Sequence, residues 1–234
     1  MKIPRELSNT VNYILDNIVP PVIRDQRWFM APLMRAVLGP KYKHYMEFKE
    51  RLPYLTDEEI DGYYTLLADT FIKRDTDLNQ KSLFFILAKL REVGGSVVDI
   101  GCGQGYLTRE MLEINEVESI HGFDVAPPND RDGITYQKGT ILNLPYEDKQ
   151  FDIVVCTHTL EHIRDIDAAL KELRRITKKD LIIAVPRQRA YKYTFDLHIH
   201  FFPYLFDLKR LINSSNADYH EFGGDFVCVI NLST

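Results

Sequence analysis

From residue 82 onward, short apolar stretches alternate with amphipathic ones. The amphipathic stretches repeat apolar residues at helical spacing and predict helices over 82–93, 106–114, 165–177 and 204–215. The apolar stretches are typical of buried strands and predict strands over 96–100, 119–125, 134–139, 151–156 and 180–186. Because strands and helices alternate regularly, we expect an α/β fold with a mostly parallel sheet and helices on both of its faces.

The two ends of the chain follow other patterns. Residues 217–222 and 225–232 alternate as strands do and are close enough in sequence to form an antiparallel pair. Residues 1–80 show helical spacing only in short pieces. We therefore predict an N-terminal helical cap over residues 1–80, followed by an α/β domain over residues 81–234.

Composition narrows the class of protein. Of 234 residues, 45% are apolar and 27% charged, as in soluble globular proteins, and the net charge of -5 gives no general attraction to nucleic acid. Cys102, Cys156 and Cys228 are far apart and lack a metal-type spacing, which indicates reduced thiols. The sequence shows no secretory signal and no apolar run long enough for a membrane span, so we predict a cytoplasmic location.

Up to residue 50, basic residues outnumber acidic ones and lie among aromatic residues. The basic residues include Arg24, Arg27, Arg35, Lys41, Lys43 and Lys49, and the aromatic ones Trp28, Phe29, Tyr42 and Tyr45. A solvated helical surface is the simpler interpretation. Contact with an anionic surface or partner is the alternative.

Three glycines at alternate positions follow the strand predicted at 96–100. Gly101 can take a positive φ and turn the chain, Gly103 lets a ligand approach the backbone, and Gly105 allows close packing of helix and strand. Their spacing departs from the GxGxxG pattern of dinucleotide-binding turns. Asp99 precedes the turn, where a carboxylate repels phosphate and attracts an amino group.

A second carboxylate, Asp124, lies near the end of the next predicted strand. A carboxylate at this place can accept hydrogen bonds from both ribose hydroxyls, so Asp124 indicates an adenosine. Asp99 argues against a diphosphate. Together they suggest an adenosine that is attached to an amino acid.

Five segments carry a resemblance to a known family. In chain order they are VVDIGCGQG, HGFDV, GTILNLPYEDKQFDIVVCTHTLEHI, LIIAVP and HIHFFPYLFDLKRLI. With them, residues 82–232 resemble a class I S-adenosylmethionine-dependent methyltransferase of the type 11 kind. The resemblance implies a Rossmann-like sheet of seven strands, the last antiparallel, with S-adenosylmethionine as cofactor and S-adenosylhomocysteine as product.

The resemblance and the turn together give a set of expected cofactor-binding residues. They are Asp99, Gly101, Cys102, Gly103, Gly105, Tyr106, Asp124, Val125, Thr140, Ile141, Leu142, Cys156 and Thr157. The family usually has an acidic residue at position 140, where it meets the adenine amino group. Here we expect Thr140 and the backbone near Ile141 to supply that contact.

Candidate catalytic groups follow the strand predicted at 151–156. If a helix begins there, His158, Glu161 and His162 share one face and can form a base with an orienting partner or a divalent metal site. The alternative is that the Glu161–His162 pair only satisfies backbone groups and holds the turn. We expect no metal requirement.

A second group of polar residues follows the strand predicted at 180–186. His198 and His200 are further candidate bases, and the substrate-binding candidates are Arg187, Arg189, Tyr191 and Tyr193. Arginines near the carboxyl end of a parallel sheet suit an anionic or polyhydroxylated acceptor. A surface loop with solvated arginines is the alternative.

The sequence thus predicts a methyltransferase that acts at oxygen on a small polar or anionic metabolite, such as a sugar or surface-glycan precursor or a phosphorylated compound. Two alternatives stay open: an O-methyltransferase of a quinone or natural-product phenol, and a catalytically inactive methyltransferase fold used for binding. We expect a small-molecule substrate and no nucleic-acid partner, in a monomer or a homodimer.

Overall fold

The computed structural model of the chain describes residues 5–67 and 76–233. Residues 1–4 and 68–75 of the predicted N-terminal extension lie outside the described residues. The chain divides into two compact units. The first unit contains residues 1–74 and 188–201, and the second contains residues 75–187 and 202–234.

The first unit is helical. Its helices are α1 (Arg5–Asn17), α2 (Pro21–Arg24), α3 (Arg27–Leu38), α4 (Tyr42–Arg51) and α5 (Asp57–Leu67). Short 3₁₀ turns at Gly39–Lys41 and Leu52–Tyr54 join the later helices. Each turn contains a proline near its start, where the missing N–H costs no hydrogen bond.

Residues 188–201 belong to the first unit, although the sequence analysis assigned them to the α/β domain. Tyr191, Tyr193 and Leu197 are buried in the same apolar cluster as residues of α3 and α4. Polar contacts hold the segment as well, because Lys49 Nζ donates to the Tyr191 carbonyl at 2.6 Å and the Lys192 N–H donates to Asp25 Oδ1 at 2.9 Å. Contacts this distant in sequence leave no local pattern.

The second unit is built on a seven-stranded sheet. Its strands are β1 (Gly95–Ile100), β2 (Val117–Asp124), β3 (Thr135–Lys138), β4 (Phe151–Thr157), β5 (Thr177–Pro186), β6 (Ala217–Phe222) and β7 (Asp225–Asn231). They are ordered β3-β2-β1-β4-β5-β7-β6. Neighbours from β3 to β5 pair in parallel, and β7 is antiparallel to both β5 and β6. The predicted Rossmann-like sheet is confirmed, including its antiparallel last strand.

Helices cover both faces of this sheet. They are α6 (Gln80–Val93), α7 (Tyr106–Met111), α8 (Ile166–Ile176) and α9 (Leu205–Ile212). Along β4, Val154 and Cys156 are buried with α8 and α9, whereas Ile153 and Val155 are buried with α6 and α7. This alternation explains why the strands are apolar at nearly every position.

Side-chain caps begin two of these helices. Asn79 Oδ1 accepts hydrogen bonds from the N–H groups of Lys81 and Ser82 at the start of α6. Asp165 Oδ1 accepts one from the Ala168 N–H at the start of α8. Among the described helices, we find none with the length and apolar character that crossing a membrane requires.

Leu173 of α8 provides a test of this core. Its side chain is fully buried, so we expect Leu173→Ala to lower the free energy of unfolding by about 2–5 kcal/mol, measured by denaturant titration. Lys171 on the exposed side of the same helix is the control, and Lys171→Ala should change the free energy of unfolding by less than about 0.5 kcal/mol. Equal effects of the two substitutions would contradict this packing.

Candidate active site

The carboxyl ends of β1, β2 and β4 form one edge of the sheet because these strands are parallel. Asp99 pairs in register with Gly122 of β2 and Val155 of β4. Asp124 and Thr157, the last residues of β2 and β4, therefore lie at the same edge as Asp99. Ligands of open α/β sheets bind at this edge.

The glycine turn leads from β1 to α7, and all three of its glycines have positive φ angles, between 51° and 78°. A Cβ at Gly101 would collide with the Thr159 side chain, and one at Gly105 would collide with the Tyr136 hydroxyl. A Cβ at Gly103 would meet no other described atom within 4 Å, chain neighbours aside. Two glycines thus permit close packing, and Gly103 faces open space.

Both carboxylate oxygens of Asp124 accept backbone hydrogen bonds, and one of these bonds holds the glycine turn. Oδ2 accepts a hydrogen bond from the Gly103 N–H at 2.9 Å, and Oδ1 accepts one from the Ala126 N–H at 2.9 Å. The backbone carbonyl of Asp124 also accepts from the Gly139 N–H at 3.0 Å. Asp124 therefore connects the turn after β1 with the segments after β2 and β3.

Asp99 is a buried carboxyl group at the base of the turn, with 1% of its surface exposed. Its Oδ1 has no hydrogen-bond partner within the described part of the chain. Burial and the nearby Asp124 carboxylate raise the pKa of Asp99 to about 8. A cationic group bound here would favour the ionised form of this carboxyl group.

The other residues expected at the cofactor differ in exposure. Cys102, Ile141 and Cys156 are buried, and burial raises the pKa of both thiols above the usual range. Thr140 is exposed, and its hydroxyl accepts a hydrogen bond from the Leu142 N–H at 3.4 Å. The half-buried residues are Tyr106, Val125, Leu142 and Thr157.

His158 follows β4 and lies between two carboxylates. Its Nδ1 is 3.7 Å from Glu161 Oε1, and its Nε2 is 3.3 Å from Asp225 Oδ1. Burial by itself lowers the pKa of His158, but these carboxylates outweigh burial and raise the pKa to about 9. The Asp225 carboxylate, whose own pKa is lowered, therefore favours the protonated imidazole, whereas burial raises the pKa of Glu161 to about 7.

The α-helix on which the predicted trio depended does not begin at His158. This residue has a φ of 50°, and residues 160–162 form a single 3₁₀ turn. His158, Glu161 and His162 consequently do not share an α-helical face. The possible metal site predicted from such a face therefore loses this support. The His158–Glu161 approach arises instead from the turn, where His158 N–H also donates to the Ala184 carbonyl at 2.9 Å.

The remaining predicted residues divide between the units. Arg187 belongs to the second unit, and its Nη1 lies 2.6 Å from Glu221 Oε1. The others belong to the first unit and are Arg189, Tyr191, Tyr193, His198 and His200. Tyr191 and Tyr193 are core residues there, and His198 Nδ1 is 2.5 Å from Gln188 Oε1. Their roles toward a substrate stay predictions.

Asp225 and Asn79 were missed by the sequence analysis. Asp225 is the first residue of β7 and 3% exposed. Its Oδ2 accepts hydrogen bonds from the Asn79 N–H at 3.0 Å and from Asn79 Nδ2 at 2.8 Å. The only signal was the Gly223-Gly224 pair before Asp225, which indicates a tight turn but no partner for a histidine more than 60 residues earlier.

Comparison with known proteins agrees with this geometry. Residues 98–185 match the family model of a methyltransferase domain. This part of the chain is similar to class I S-adenosylmethionine-dependent methyltransferase domains. The methyltransferase domain thus spans β1 to β5, including the glycine turn, Asp124 and the His158 turn.

Relatives of the methyltransferase domain include the probable methyltransferase ltbC of Aspergillus luteorubrus, 27% identical over 67% of this chain and 58% of that protein. The ubiquinone biosynthesis O-methyltransferase of Xanthomonas oryzae is 29% identical over 43% of this chain and 46% of its own length. The chain thus spans less than two thirds of either relative.

A chain from the complex of the Haloferax volcanii Trm112 methyltransferase activator with a methyltransferase has a similar fold. Its TM-score is 0.52 at 15% identity, over 75% of this chain and 95% of that one.

Gly103 allows the role of the open turn to be tested. Alanine there costs about 1–2 kcal/mol of backbone strain, and the added methyl group should lower the affinity for S-adenosylmethionine about tenfold or more, measured by calorimetry. Gly133 is the matched control, because it also has a positive φ and open space around it but lies in another loop. Gly133→Ala should leave the affinity unchanged. Equal losses of affinity would show that strain alone acts.

Proposed function

We propose that this methyltransferase domain methylates an oxygen of a small polar or anionic molecule. S-adenosylmethionine supplies the methyl group from its sulfonium. The observation that carries the proposal is the open backbone at Gly103 beside the buried carboxyl group of Asp99. That pair suits a ligand whose ammonium group meets Asp99 while its amino-acid portion lies against the bare backbone of Gly103.

Asp99, Gly103 and Asp124 each have a proposed task toward the donor. Asp99 would accept hydrogen bonds from the donor's ammonium group, Gly103 would make room for its amino-acid portion, and Asp124 would meet the ribose hydroxyls. Asp124 already holds the Gly103 N–H, so its carboxylate would serve the turn and the ribose together.

His158 suits a positioning task better than proton removal near neutral pH. A general base must be unprotonated, and the pKa of His158 is raised to about 9. We propose that protonated His158 keeps the buried Glu161 and Asp225 in place. The next residue, Thr159, packs its side chain against Gly101 of the glycine turn. His162, His198 and His200 stay candidate bases.

A second candidate acceptor is a phenol of the quinone type. The similarity to a ubiquinone biosynthesis O-methyltransferase of Xanthomonas oryzae favours it. An inactive fold used for binding is the alternative to both acceptors. The expected absence of a nucleic-acid partner, the absence of a metal requirement and the cytoplasmic location also stay predictions.

Asp99 predicts a pH dependence of donor binding. Because its pKa is raised to about 8, the carboxyl group of the empty protein is protonated at pH 7 and must release this proton when it meets an ammonium group. The affinity for S-adenosylmethionine should therefore rise by up to about tenfold per pH unit below that pKa, since binding displaces one proton. Calorimetry in two buffers of different ionisation enthalpy measures the proton release.

Asp99→Asn is the control, because it keeps the shape but cannot titrate. This variant should bind the donor more weakly, with no proton release assigned to this position. A wild-type binding enthalpy that does not depend on the buffer contradicts the role of Asp99.

The acceptor class can be tested by turnover. Purified protein is supplied with S-adenosylmethionine and two sets of acceptors, hydroxylated or phosphorylated sugars and catechol-type phenols, and S-adenosylhomocysteine formation is measured. Faster turnover with the first set supports the proposal, and faster turnover with the second supports the phenol. Donor binding with no turnover on either set would favour the inactive fold. Asp124→Ala, which should abolish donor binding, is the control for background formation of S-adenosylhomocysteine.

A further inference from the structure

Exposed apolar side chains concentrate in one part of the first unit. Of the fourteen large hydrophobic residues that the described part of the chain exposes, eight lie between residues 13 and 37. Among these eight residues, the most exposed are Val22 at 72%, Trp28 at 69% and Ile18 at 64%. They lie on α2, on α3 and on the link between α1 and α2, and soluble proteins expose single residues of this kind more often than a group.

Basic residues occupy the same stretch of chain. Residues 18–46 contain five Lys or Arg residues and one acidic residue, which gives a net charge of +4 in a chain of net charge -5. The acidic residue, Asp25, already accepts a hydrogen bond from the Lys192 N–H. Arg35 and Lys43 are exposed. Arg24 is buried, and Arg27 lies 4.0 Å from Glu47 just beyond this stretch, so Arg35 and Lys43 carry most of the positive charge that faces solvent here.

Helix geometry brings the two properties together on α3. Trp28, Pro32 and Arg35 lie at positions i, i+4 and i+7, so they follow one stripe of the helix, and all three are exposed. The buried residues Met30, Met34 and Leu38 occupy another stripe. Trp28 thus points away from the core, and the cation of Arg35 lies two turns further along the same stripe.

We propose that this α2–α3 surface, formed by Val22, Ile23, Trp28, Pro32 and Arg35, binds an anionic lipid bilayer. Apolar and tryptophan side chains next to exposed cations are the combination that attaches helices to the interface of membranes with negative lipids. The exposed cations Arg35 and Lys43 favour an anionic surface over a neutral one. The proposal does not depend on which acceptor the methyltransferase domain uses.

Trp28 provides the experiment, because it is the only tryptophan of the chain. Its fluorescence is recorded with vesicles of phosphatidylcholine and with vesicles that also contain phosphatidylserine. We expect the emission to shift to shorter wavelength with the mixed vesicles only, and the protein to float with them on a density gradient. Added salt should weaken the binding because it screens the charges.

Two pairs of variants separate this surface from the rest of the protein. Arg35→Gln should lower vesicle affinity about fivefold, as loss of about 1 kcal/mol per basic residue implies. Arg210→Gln should leave it unchanged, because this exposed arginine lies on α9 of the second unit. Trp28→Ser should weaken flotation strongly, whereas Tyr54→Ser, at a residue 86% exposed outside the surface, should not.

Three results would overturn the proposal. The first is no change in Trp28 emission and no flotation with phosphatidylserine vesicles. The second is equal weakening by Arg35→Gln and Arg210→Gln, which would indicate a general charge effect. The third is salt-sensitive retention of a short RNA that depends on Arg35 while vesicles are not bound, which would assign the surface to nucleic acid.

Discussion

Parallel pairing of β1 with β2 and β4 is the constraint on which the site depends. It brings the ends of three strands, separated by long stretches of chain, to one edge of the sheet. Asp99 is buried there because helices cover both faces of the sheet, and Asp124 follows from the next strand. Burial of the first carboxyl group and its nearness to the second then set its protonation. The proposed recognition of the donor by Asp99 and Asp124 thus depends on the strand order.

The turn after β4 shows a second consequence of the same sheet. β7 lies antiparallel beside β5, so its first residue, Asp225, comes to the edge where the parallel strands end. There it meets His158, whose other side faces Glu161. Asn79, which caps α6, binds the same aspartate. The residue type of His158 suggests a base, but its acidic neighbours raise its pKa and favour its protonated form.

The helical unit depends on a segment from the far side of the sequence. Tyr191, Tyr193 and Leu197 are buried with α3 and α4, and Lys49 and Asp25 bind the backbone of the same segment. The chain therefore leaves the second unit after Arg187 and returns to it at Phe202. The basic residues of the first unit divide accordingly: Lys49 holds this segment, whereas Arg35 and Lys43 face solvent.

The sequence by itself determined the α/β alternation, the antiparallel last strands and the glycine turn with Asp99 and Asp124. These features depend on local periodicity and on residue types at fixed spacing, which a single sequence displays. Only the tertiary structure decided that residues 188–201 join the helical unit, that His158 meets Asp225 and that no α-helix begins at His158. Such contacts join residues far apart in the chain, and their energy depends on burial and on neighbouring charges that no local pattern records.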